Sequence, residues 1–179
     1  MLKINAAEFA KIVAGQLHEI SESTMIDQAP VINSKSATKD SFFVAFKGEQ
    51  VDGHNFVTEA INLGAKFALV SKPVAEPHVL VADTGKALID LAIYLRSKLP
   101  ELKIVGITGS QGKTTTKEFL NSILKLEGET VATAGNFNTD IGVPLTLLRC
   151  NEQTKFCILE MGARHSGDIA KLTKIAKPK

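Results

Sequence analysis

Residues 108–114 read Thr108-Gly109-Ser110-Gln111-Gly112-Lys113-Thr114, and their setting constrains the fold more than any other stretch of the chain. Before them runs Lys103-Ile104-Val105-Gly106-Ile107, short and apolar enough to be a buried strand that reaches Thr108. After them the spacing predicts a helix over 113–126, with Phe119, Leu120, Ile123 and Leu124 facing inward and Gly128 closing it. Further strands are predicted at 130–133 and 156–159. Strand, tight bend, helix and strand in this order make a βαβ unit, and uninterrupted apolar strands call for a parallel sheet covered on both faces. Phosphate oxygens need closely spaced backbone N–H donors, which a glycine bend supplies. The start of the following helix adds free N–H groups and the positive end of its dipole. Lys113 offers a mobile positive charge for β- and γ-phosphates, and the Thr114 hydroxyl suits Mg²⁺.

The spacing departs from the general phosphate loop, which has glycine where this chain has Ile107; the glycine is Gly106. Gly106, Gly109 and Gly112 also fit a loose three-glycine dinucleotide spacing, but no acidic residue follows in the region 130–134, which argues against it. The bland alternative is a glycine turn ahead of a solvated Lys-Thr helix start. Glu160 follows the last predicted strand. A carboxylate at the carboxyl end of a parallel strand faces the crevice of a phosphate loop, where it can serve Mg²⁺; the alternative is an ordinary exposed strand-end Glu. The run 135–144, with Asn136, Asn138, Thr139 and two glycines, reads as a loop of neutral donors and acceptors for a polar sugar-phosphate substrate, or simply as a turn rich in capping residues. His165 is either a ligand, a proton carrier or a solvated side chain.

The first 82 residues carry a different pattern. Asn5 and Glu8 stand at capping-box spacing, Ala6, Phe9, Ala10 and Val13 recur at helical intervals, and Gly15 is the predicted stop. Strands are predicted at 42–46, 67–70 and 78–82, with a polar loop at 47–54 and a helix ended by Gly64. The fold class is therefore α/β, with a small N-terminal α/β domain at 1–82 followed by part of a parallel-sheet, phosphate-loop domain at 83–179, which opens on a helix over 83–99. Lys and Arg total 21 against 19 acidic residues, and there is one Tyr and no Trp, so neither a nucleic-acid nor a membrane partner is expected. No apolar run reaches the ~18 residues of a span and no secretory leader is evident, so a cytoplasmic protein is expected. Cys150 and Cys157 read as reduced, semi-buried thiols.

With these residues in view, the run 106–116 resembles the ATP loop of the Mur ligases, whose Thr-Gly-x-x-Gly-Lys-Thr form accounts for the spacing misfit. Two runs resemble one branch of that family, which joins D-alanyl-D-alanine to UDP-N-acetylmuramoyl-tripeptide. They are the run 134–148, with Asn136-Phe137-Asn138-Thr139-Asp140-Ile141-Gly142-Val143-Pro144-Leu145-Thr146-Leu147-Leu148, and Glu160-Met161-Gly162-Ala163-Arg164-His165-Ser166-Gly167-Asp168-Ile169. The run 42–53 is similar to the family's uridine-nucleotide domain, so the resemblance covers essentially the whole chain. It implies an ATP-dependent ligase of peptidoglycan precursor synthesis working through an acyl phosphate, expected as a monomer. Thr108, Gly109, Ser110, Gln111, Gly112, Lys113 and Thr114 would then bind ATP. Thr114 and Glu160 would serve Mg²⁺, and Lys113 and Glu160 would be catalytic. Ser34, Lys47 and Gly48 would lie near the uridine diphosphate, and Asn136, Asn138 and Thr139 near the muramoyl nucleotide. One departure bears on the uridine side: Asn33-Ser34-Lys35 stands where many relatives have Asp-Ser/Thr-Arg, and Lys lacks the bidentate fork of Arg. The family continues beyond the length of this chain, so these 179 residues are not expected to complete a turnover by themselves, and an open sheet edge is expected after the last strand. The alternatives are a ligase of the branch adding one amino acid, a non-catalytic UDP-sugar and ATP-binding piece, and, more remotely, a phosphate-loop switch.

Overall fold

The structure is a computed structural model that describes residues 1–48 and 50–178; Glu49 of the polar loop lies outside the described residues. The chain divides into two compact units, Met1–Leu91 and Ala92–Lys179.

The first unit runs β1 (Ile4–Asn5), α1 (Ala6–Val13), β2 (Gln16–His18), β3 (Met25–Ile26), β4 (Pro30–Val31), β5 (Phe42–Val44), α2 (Val57–Asn62), β6 (Phe67–Val70), β7 (His78–Leu80) and the start of α3 (Thr84–Lys98). Its main sheet has the order β2-β7-β6-β5-β4, parallel from β4 to β7, with β2 antiparallel at the edge. Successive strand residues point to opposite faces, and both faces are covered. On one, Phe42 and Phe67 stack at 5.2 Å and Phe9 of α1 packs edge-on against both. On the other, Phe43, Ala45, Ala68 and Val70 meet Val57 and Ala60 of α2. The predicted cap is present: Asn5 Oδ1 accepts from the Glu8 N–H at 2.8 Å. The predicted stop differs. The left-handed residue is Ala14, at φ 51°, not Gly15. Gly15 answers a steric demand instead, since a Cβ there would sit 2.7 Å from Val79 Cγ1 on β7. His54, in the run predicted as a polar loop, is buried; its Nδ1 bonds Asp52 and its Nε2 accepts the Ser71 N–H at 2.9 Å.

The second unit holds the rest of α3, then β8 (Lys103–Ile107), α4 (Lys113–Leu124), β9 (Thr130–Ala132), α5 (Gly142–Leu147), β10 (Phe156–Glu160) and α6 (Asp168–Ala176). Its three strands are parallel in the order β8-β10-β9. The last strand is thus the central one, fully buried along its length, and the sheet edges are β8 and β9, which corrects the expected edge after the last strand. Three further expectations change. Residues 142–147 form a buried helix rather than a loop; Pro144 is tolerated because the first turn of a helix needs no N–H donor from it. Cys150 and Cys157 are free and fully buried rather than half-buried; hydrogen bonding with Cys150 and then burial hold the Cys157 thiol well above its ordinary range.

The third change concerns the face of α4. Phe119 and Ile123 are 69% and 59% exposed, while Lys117 is buried. The helix is phased by its first turn, where Thr114 must meet Glu160. Positions three, seven and ten residues further on, Lys117, Asn121 and Leu124, then share that face, and the apolar pair Phe119 and Ile123 turns outward.

Candidate active site

Crossing from β8 to β9 by way of α4 leaves β10 between them, so the loop after β8 and the loop after β9 flank the end of β10. Such a reversal of strand order opens a crevice at the carboxyl ends of parallel strands. The register places Glu160 opposite Ile107, the last residue before the phosphate loop, and the Met161 N–H donates to the Ile107 carbonyl at 2.8 Å.

Thr108, Gly109, Ser110, Gln111 and Gly112 form an exposed bend. Gly112 is left-handed at φ 75°, a conformation that costs an L side chain. α4 then starts with no side-chain cap and no acid in its first turn, so the free N–H groups and dipole of that end point toward an anion. Lys113 Nζ donates to the Gly109 carbonyl at 2.7 Å, bridging the bend it would share with phosphates.

Glu160, 4% exposed, joins the two loops. Its Oε2 accepts from Thr114 Oγ1 at 2.9 Å and its Oε1 from Asn138 Nδ2 at 3.1 Å. Its N–H donates to Thr133 Oγ1 at 3.0 Å. Asn138 is fixed in turn, its carbonyl accepting the Gly162 N–H at 2.8 Å. The segment 135–141 is pressed onto the start of α5 so closely that a Cβ on Gly142 would lie 2.2 Å from the Phe137 carbonyl carbon.

The donor set suits a hard cation. Oxygens adjacent in a Mg²⁺ octahedron lie about 3 Å apart, given ligand distances of about 2.0–2.1 Å, and the Thr114–Glu160 separation matches that edge. Among the described residues no three His, Cys, Asp or Glu side chains gather as metal ligands, so a cation here would complete its shell with water and phosphate oxygens.

Of the residues singled out from sequence, the fold brings together the phosphate bend, Lys113, Thr114, Glu160 and Asn138. Asn136 is exposed and Thr139 half-buried; their carbonyls accept the Asn138 and Val143 N–H groups. The His165 side chain is exposed, and its N–H and that of Arg164 donate to Asp168 Oδ2, which lowers the Asp168 pKa. In the first unit, the buried Ser34 hydroxyl donates to Glu59, the main chains of Lys47 and Asp52 form an isolated antiparallel β-bridge, and the Gly48 N–H donates to the Val51 carbonyl at 2.9 Å. Sequence reasoning passed over Lys117 and Thr133. The available signal was Lys117 lying one turn after Lys113, three residues from Thr114.

Known proteins are similar to this chain in sequence and fold. The Mur ligase middle domain matches residues 107–179, and the Mur ligase family catalytic domain matches residues 31–95. UDP-N-acetylmuramoyl-tripeptide–D-alanyl-D-alanine ligase of Escherichia coli is 37% identical over 99% of this chain, and that of Bacillus subtilis 35% identical over 99%. The chain spans 39% and 40% of their respective lengths. A crystal structure of MurF from Acinetobacter baumannii superposes on 98% of the chain, and on 39% of its own, with a TM-score of 0.87 and 37% identity. MurF of Thermotoga maritima in complex with ADP covers 86% of the chain, and 36% of its own, at a TM-score of 0.70 and 39% identity.

Proposed function

This chain belongs to the Mur ligase family, and we propose that it forms the N-terminal part of an ATP-dependent ligase joining D-alanyl-D-alanine to UDP-N-acetylmuramoyl-tripeptide. The observation that carries the reading is the meeting of Thr114 and Glu160 at 2.9 Å beside an uncapped helix start. In this reading the tripeptide carboxylate attacks the γ-phosphorus of ATP, ADP leaves, and an acyl phosphate forms. The amine of D-alanyl-D-alanine then attacks the acyl carbon, loses a proton, and expels inorganic phosphate. Phosphoryl transfer needs little from a protein beyond alignment and charge neutralisation.

The residues divide those tasks. The bend amides and the α4 N-terminus hold β- and γ-phosphate oxygens. Lys113 exchanges its bond to the Gly109 carbonyl for one to phosphate, so its charge travels with the bound nucleotide. Thr114 and Glu160 would hold Mg²⁺, which when bound would offset charge on the phosphates. Asn138 keeps the Glu160 carboxylate turned toward Thr114. Ser34, Lys47 and Gly48 of the first unit, and Asn136 and Thr139 of the second, are assigned to the uridine nucleotide substrate. The identity of the branch is supported by relatives at 33–37% identity across nearly the whole chain.

Phosphate release by a protein of the relatives' length that carries these residues tests the reading. Release is expected only with ATP, UDP-N-acetylmuramoyl-tripeptide and D-alanyl-D-alanine together. Equal turnover with a single amino acid in place of the dipeptide would overturn it.

A further inference from the structure

We propose that Lys117 is a positioning residue for Glu160, acting through Thr133; the inference rests on the reading of Glu160 as a cation-binding carboxylate. Lys117 is 2% exposed and is the side chain that α4 buries. An ammonium in such a place is costly unless its protons are paired, and packing alone would be served as well by leucine. Lys117 Nζ donates to the Thr133 carbonyl at 2.8 Å and pairs with Glu118 Oε1 at 2.8 Å. Thr133 is bound on every side: its N–H donates to the Ile158 carbonyl at 2.9 Å, and its Oγ1 accepts the Glu160 N–H at 3.0 Å. The chain of bonds therefore runs without a gap from the ammonium to the main chain of the carboxylate residue.

The same helix holds Glu160 twice. Thr114 grips its carboxylate, and Lys117, one turn on, fixes the residue that carries its backbone. If α4 shifted, both grips would shift together, so the carboxylate keeps its register with the phosphate bend. Groups that orient a metal-binding carboxylate change metal affinity by about 10- to 100-fold when removed, and Lys117 occupies that place here.

The test is calorimetric titration of the chain with ATP, in Mg²⁺ and in EDTA. Lys117→Met is expected to weaken ATP binding in Mg²⁺ by about 10- to 100-fold while leaving the EDTA value within about twofold. Thr133→Val is expected to do the same, and Thr133→Ser to restore the Mg²⁺-dependent gain. Added to Glu160→Gln, Lys117→Met is expected to cost nothing more in Mg²⁺, because the two act on one contact. A parallel loss in both conditions, or none in Mg²⁺, overturns the proposal. Should Lys117→Met fail to fold, Lys117→Leu, the substitution that packing alone would accept, decides by the same criterion. A wild-type chain whose ATP affinity ignores Mg²⁺ overturns the reading of Glu160 itself, a result distinct from loss of the Lys117 effect alone.

Discussion

Both units of this chain bury polar groups, but among the described residues the buried Lys and Glu lie in the second alone, and the contrast separates what holds the fold from what works on a ligand. The first unit centres on three phenylalanines in mutual contact, Phe9, Phe42 and Phe67. The second buries Lys117, Thr133 and Glu160 near the carboxyl ends of its strands and leaves Phe119 and Ile123 in solvent. Charged groups are seldom buried without partners, and here the partners are one another's elements: α4, the end of β9 and the end of β10. In the second unit, the helix that carries Thr114 to Glu160 also turns Lys117 toward the end of β9.

The contrast is broken most strongly at Phe9. Phe9→Ala is expected to cost about 3–5 kcal/mol in denaturant unfolding, with no change in ATP affinity of the folded protein. Lys113→Ala should behave in the opposite sense. It is expected to weaken ATP binding about 100-fold, a loss of ~2.7 kcal/mol, in Mg²⁺ and EDTA alike. Its melting midpoint should stay put, because the wild-type bond to the Gly109 carbonyl is at an exposed bend.

Asp52 sharpens the comparison by pH. Its bond to the Lys72 ammonium, then those to the His54 N–H and ring, hold its carboxyl well below the usual carboxylate range. A depressed value in the folded state stabilises above the unfolded pKa of about 3.9 and is lost as pH falls through the folded value. Asp52→Asn is therefore expected to lower the melting midpoint at pH 7, with the gap to wild type narrowing as pH drops below about 4. The smallest effect belongs to the outward stripe: Phe119→Ser is expected to change stability by no more than about 0.5 kcal/mol, as for an exposed side chain without partners in the fold.

Much of this was readable in the residues themselves, for identifiable reasons. Asn5 capping at Glu8, the bend before Lys113 and the strand ending in Glu160 are local patterns, each fixed by chemistry within a few residues. The α/β class followed from them. Other features depend on partners distant in sequence. Gly15 reads as a helix stop until Val79 is known to lie against it. α5 is hidden because Gly142 and Pro144 look like loop residues. The phase of α4 is not legible locally, because Phe119 and Ile123 form an apolar stripe on its outer face and the inward face is marked by the bond from Thr114 to Glu160, 46 residues away. Lys117 and Thr133 escaped notice for the same reason: neither carries a motif, and their meaning lies in a bond between helix and strand end.

The most direct measurement is ATP titration of the wild-type chain and of Glu160→Gln, each with Mg²⁺ and with EDTA. The account requires Mg²⁺ to tighten ATP binding to the wild type and the substitution to erase that gain while sparing the EDTA affinity. Equal tightening by Mg²⁺ in both proteins would contradict it.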